Sequence, residues 1–180
     1  MQIGIKKFFL VFFCVILGTL EQVKSEIHPD KVFTADSKKT GAFQRDGIII
    51  GGDQAIHEVI VKDIRQAVNQ GFERMVIDLE TSFNGEPSPI ERPPYYQLAV
   101  TPDERRLIIT LWGGPKLQFK PNKVLNAFKK SAVVEKVLLF PKLEEGSWTF
   151  ALELKVDASV EVFELSHPVR VIVDIRPKKS

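Results

Sequence analysis

Residues 148–175 read WTFALELKVDASVEVFELSHPVRVIVDI, and this stretch decides the class of fold. Trp148, Phe150, Leu152, Leu154 and Val156 alternate with smaller or polar residues, the period-two pattern of a strand with one buried face. A second strand is read over Val160–Leu165 and a third over Val169–Ile175. In the second, the apolar phase shifts between Val162 and Phe163, which predicts a bulge. Pro168 and its polar neighbours mark the turn between them.

Upstream the same rhythm recurs. Val134–Phe140 reads as a strand, with a turn over Glu144–Ser147 before Trp148. Arg74–Glu80 alternates, with Met75, Ile77 and Leu79 on one face. A proline-rich loop follows (Pro87, Pro89, Pro93, Pro94), then Tyr95–Val100, a turn over Thr101–Glu104, and a strand that Gly113, Gly114 and Pro115 terminate. His57–Val68 fits either a strand or helical spacing. Asn122–Ala132 predicts the one clear helix, with Asn122 as cap and Val124, Leu125, Phe128 and Ala132 on one side.

Two halves look alike. Ala99–Leu111 and Glu164–Ile175 each carry a strand end, a proline turn, an arginine and alternating aliphatics, and Arg74–Glu80 corresponds to Trp148–Lys155. The expected fold is therefore mainly β: two packed four-stranded antiparallel sheets, a β-sandwich with an internal pseudo-twofold repeat and one connecting helix. The half-repeats span about 56–114 and 133–176, with the linker helix at about 122–132. Residues 26–55 read as a weakly ordered polar arm. Its one apolar island, Ile48–Ile50, is either an edge strand or an exposed turn.

Met1–Ser25 reads as an export signal. Lys6 and Lys7 precede a ten-residue apolar run, Phe8–Leu17, and Val23 and Ser25 set a cleavage site before Glu26. Ten residues are about half of the ~20 that a spanning helix needs, which favours cleavage over the alternative of a retained N-terminal anchor. Cys14, the single cysteine, lies inside that run, so the processed chain has no disulfide and no thiolate ligand. Of 25 Lys and Arg and 23 Asp and Glu in the chain, three lysines and Glu21 fall within the signal. The remaining 22 of each sign give no support to nucleic-acid binding.

The segment Val162–Ile175 resembles the end of an AMIN domain, whose pattern is a Phe-x-Leu strand, a polar-Pro-x-Arg turn and a Val-Val-x-Asp-Leu strand. Here His167 stands where that family commonly has asparagine. The resemblance extends loosely back to about Ile56. It implies two packed four-stranded sheets over 56–177 and a non-catalytic role in the periplasm, binding peptidoglycan or localising a protein at the cell wall. An accessory role with an amidase, a secretin of a pilus, or a division complex is the alternative. An unrecognised cell-wall enzyme is a minor one.

The candidate contact residues follow from the strand phases. Tyr95 and Trp112 fall at strand ends where an exposed ring would stack on a sugar. Arg170 and Asp174 share one face of a strand and would meet a polar ligand, or simply pair with neighbouring strands. With His28, His57 and His167 widely spaced, no metal site, cofactor or catalytic set is expected.

Overall fold

The computed structural model describes residues 31–178, except 84, 85, 89 and 140–145. The expected export segment, the first residues of the arm and the first half of the Glu144–Ser147 turn lie outside the described residues.

Among these residues the chain runs through β1 (Val32–Thr34), β2 (Gly47–Gly51), β3 (Val59–Asn69), β4 (Phe72–Phe83), β5 (Glu86–Ser88), β6 (Tyr96–Thr101), β7 (Arg106–Leu111) and β8 (Lys116–Leu117). Then come α1 (Pro121–Phe128), β9 (Val134–Leu139), β10 (Trp148–Leu154), β11 (Ala158–Leu165) and β12 (Arg170–Pro177). Two sheets pack face to face. Sheet A has the order β1-β2-β6-β7-β10-β9, and sheet B the order β11-β12-β4-β3-β8 with β5 paired on β4. The fold is mainly β, as the alternating segments predict. The expectation of two four-stranded antiparallel sheets is corrected: the arm adds β1 and β2 to sheet A, and the parallel pairs β1–β2 and β3–β8 make both sheets mixed.

Apart from the strands of the arm, sheet A has the antiparallel run β6-β7-β10-β9, and sheet B has the antiparallel run β11-β12-β4-β3. The hairpin β6–β7 is joined by β10 and β9, from later in the chain. The hairpin β11–β12 is joined by β4 and β3, from earlier in the chain. Each hairpin thus pairs with a strand from the opposite half. Registers correspond too: Arg106 lies opposite Glu153 and Thr110 opposite Thr149, while Arg170 lies opposite Asp78 and Asp174 opposite Arg74.

The inner faces carry the alternating apolar residues. Leu98, Leu107, Ile109, Leu111, Phe150 and Leu152 of sheet A meet Val61, Ile64, Met75, Ile77, Val171 and Val173 of sheet B in one buried cluster. Trp148 is 1% exposed and belongs to this cluster, stacked on Phe150 with centroids 4.7 Å apart and tilted against Phe119 at 5.5 Å. Such ring pairs contribute about 0.5–1.5 kcal/mol each beyond the area they bury.

Four local expectations change. The ambiguous stretch His57–Val68 is strand β3, and its helix-like spacing comes from a bulge between Val61 and Asp63. The extra residue puts Val59, Val61 and Ile64 on one face, which breaks the strict alternation. No bulge occurs at Val162 and Phe163, where β11 pairs with β12 in continuous register. The phase reads as shifted because both faces of β11 are covered: Val160 and Val162 enter the main core, while Phe163 joins Val76, Ile172 and Leu165 on the outer face.

The helix begins with Pro121 at its first turn, capped by the Lys120 backbone rather than by Asn122, and ends at Phe128 instead of Ala132. Glu73 causes the early stop. Its carboxylate accepts hydrogen bonds from the Ser131 hydroxyl (2.5 Å) and the Ala132 N–H (2.7 Å), and Ser131 Oγ accepts from the N–H of Val134 (2.6 Å). Val124 and Phe128, one turn apart, are the buried residues of α1, and Leu125 is left exposed.

The described part of the arm is structured. Ile48–Ile50 is a strand, not an exposed turn, and it is not at the edge: β2 pairs with β6 on one side and β1 on the other, so β1 is the edge of sheet A. The intervening residues cross to sheet B, where Asp36 bridges to Phe163 and Gln44 to Val160 along the outer edge of β11. Buried carboxylates hold this crossing in place. Asp174, fully buried, accepts two hydrogen bonds from Arg74 (2.6 and 2.8 Å) and one from Lys39 of the arm (2.7 Å). Glu161 accepts the N–H groups of Thr40 (2.6 Å) and Gly41 (2.5 Å). Lys39 also sits 3.8 Å from the centre of the Phe72 ring.

Burial pushes the Asp174 carboxyl up, but the hydrogen bonds and charges of Arg74 and Lys39 outweigh it and hold the group below its ordinary value of 3.8. Its contribution to stability is therefore complete above that value and is lost as the pH falls through the depressed native one. Arg74→Ala leaves a buried carboxylate with one partner and should cost about 3 kcal/mol in urea unfolding at neutral pH. The deficit should shrink in acid, as the pH falls below the ordinary value of 3.8 and on through the depressed native one.

Candidate functional site

Tyr95 and Trp112 meet at one end of sheet A. Trp112 follows β7 and Tyr95 precedes β6, so the pairing of these strands brings the two rings alongside each other. The Trp112 N–H donates to the Tyr95 carbonyl at 3.0 Å, and the ring centroids lie 5.1 Å apart at 44°. Both rings are half-buried, and the Tyr95 hydroxyl accepts from Gln97 Nε2 at 2.8 Å. They form one wall of an open cleft of about 410 Å³. Gln54 and His57 bring polar groups to it, and Gly113 and Gly114 keep its floor free of side chains.

The wall is braced from behind. Asp53 ties the two loops that flank the cleft: its N–H donates to the Pro93 carbonyl (2.9 Å) and its carbonyl accepts the Tyr95 N–H (2.9 Å). Gly52 adopts φ +79°, and a Cβ there would run into the Pro94 carbonyl, so the close approach of the loops requires glycine. The Gly52 N–H in turn donates to Glu164 of β11 (2.6 Å). Glu164 also pairs with Arg92 at 3.1 Å and accepts from the Tyr96 hydroxyl. Burial, then the neighbouring Glu164 charge, push the Tyr96 phenol well above its ordinary value, so it stays a neutral donor.

Of the four residues singled out in the sequence, Tyr95 and Trp112 come together and Arg170 and Asp174 do not join them. Those two lie on the outer face of sheet B. Asp174 is wholly occupied by Arg74 and Lys39 and has no surface left for a ligand. The expectation that it contacts one is thereby corrected. Arg170 is half-exposed, and its Nε donates to the Pro168 carbonyl at 3.2 Å. Gln54, His57 and the bracing Glu164 were not singled out beforehand. The Gly113-Gly114 pair is the one sequence signal that marks the place, because it ends β7 without side chains beside Trp112.

Among the described residues no group of three or more His, Cys, Asp or Glu side chains is arranged to hold a metal ion. No helix among them is long and apolar enough to cross a membrane. No known protein-family model matches the chain, and no curated protein matches it.

Glu164 is the testable support of this site. Glu164→Ala removes the acceptor of Gly52 and Tyr96 and the partner of Arg92, and should destabilise the protein by about 2–3 kcal/mol in urea unfolding. Glu164→Gln retains an acceptor and should lose less.

Proposed function

We propose that the chain is a non-catalytic module of the bacterial cell envelope that binds peptidoglycan through the Tyr95–Trp112 cleft. The observation that carries the reading is the paired aromatic wall beside an open floor of glycines. Sugars are recognised by stacking their CH-rich faces on rings of this kind while nearby polar groups meet their hydroxyls. Gln54 and His57 are placed to do the second. The volume of the cleft suits one or two sugar rings.

Two further features favour a wall glycan over other glycans. The N-terminal segment reads as an export signal, which would place the chain in the periplasm. The Val162–Ile175 segment reads as the end of an AMIN-like module, and two four-strand antiparallel blocks of like order support that kinship. The rival reading, an accessory protein of a secretin or division complex, takes residues 26–55 as an arm that could fold on a partner. From Lys31 onward the arm is used within the fold, closing sheet edges, so that motive falls away.

Sedimentation of the purified protein with isolated sacculi tests the proposal. The protein should be retained over a denatured control, and Trp112→Ala should weaken retention about tenfold, the loss of some 1.4 kcal/mol of stacking. No retention of the unaltered protein would end the reading. Equal retention of the variant would remove the cleft from it.

A further inference from the structure

A second, larger cleft of about 910 Å³ opens at the opposite kind of surface, where the arm, the β3–β4 turn and the end of β12 converge. Three cations line it: Arg45 from the arm, and Arg176 and Lys178 from the end of β12 and the residues after it. Phe43 and Phe72 supply its apolar walls. No acidic side chain is among the described residues that line it.

Asp174 and Glu161 are buried and hold Arg74, Lys39 and the arm backbone. Asp157 lies 4.0 Å from Lys178 and closer, 3.1 Å, to Arg105. Among the described residues neither Arg45 nor Arg176 has a carboxylate partner. Arg176 is nevertheless held in place: its guanidinium lies 3.5 Å from the centre of the Phe43 ring, and Ser159 sits across the strand from it. Holding an arginine in position without a counter-charge pre-organises its donor fork for an anion.

We propose that this cleft binds a phosphorylated sugar. The phosphoryl oxygens take the forked donors of Arg45 and Arg176 and the Lys178 ammonium, and the sugar ring packs its apolar face against the parts of Phe43 and Phe72 that line the cleft and that Arg176 and Lys39 leave uncovered. Guanidinium groups match phosphate with paired, charge-assisted hydrogen bonds. A ring wall next to them selects a carrier with CH surface over the bare ion. The concave shape distinguishes the site from scattered surface lysines. It stands on different residues from the Tyr95–Trp112 cleft and does not depend on that reading.

Calorimetric titration of the purified protein with glucose 6-phosphate, inorganic phosphate, glucose and adenosine monophosphate tests it. Glucose 6-phosphate should bind tightest, glucose should not bind, and added salt should weaken the interaction. Arg45→Ala and Lys178→Ala, both changes of exposed side chains, should each weaken it about five- to tenfold, while Trp112→Ala should leave it unchanged. The proposal is overturned if glucose 6-phosphate does not bind, or binds no better than inorganic phosphate or the nucleotide. Affinity untouched by the two cation removals, or abolished by Trp112→Ala, overturns it as well.

Discussion

A two-sheet sandwich leaves edge strands whose backbone donors and acceptors have no partner, and closing them is the constraint that organises this molecule. Residues 31–53 do so on one flank. They extend sheet A beyond β6, cross the seam, and run along β11 of sheet B. A polar segment crossing a seam has little apolar area to bury, so it is held by charge. Asp174, Glu161 and Glu164 on β11 and β12 are buried at 0%, 2% and 7% exposure, and each receives a donor from the arm or from the loop that ends β2. Buried carboxylates need donors in place of water, and the arm supplies them to Asp174 and to one oxygen of Glu161, so the donors and the strand order specify one another.

That bracing links core to surface. Glu164 faces a buried tyrosine on one side and the Gly52 backbone on the other, and Gly52 leads directly to the loop contacts that set Tyr95 beside Trp112. The aromatic cleft is thus positioned by a side chain from the opposite sheet. The cationic cleft has a similar origin, since Arg45 reaches it only because the arm has crossed to β11.

Much of this architecture was legible in the sequence. Strict alternation at Trp148–Leu154 and Arg74–Glu80 gave strands with the right faces inward, and the proline turns located both hairpins. The Tyr95–Trp112 pair could be suspected because both lie at strand ends. The errors share a cause: tertiary partners distant in sequence. Glu73 ends the helix early from nearly 60 residues away. Covering on two faces made β11 look bulged, while the true bulge in β3 mimicked a helix. The arm looked unstructured because its hydrogen bonds go to strands far along the chain. Asp174 looked like a ligand contact because the alternation of β12 puts it on the outer face, and periodicity does not record what lies over that face.

The crossed pairing of hairpins has a kinetic corollary. β4 cannot complete its sheet until β12, about a hundred residues later, has been synthesised, and β7 must likewise wait for β10. Most stabilising contacts therefore close long loops, a topology that slows collapse to the native state and leaves half-made sheets exposed meanwhile. Severing it between the halves would yield two fragments that each present the other's missing strand position, and they should recover structure only by associating.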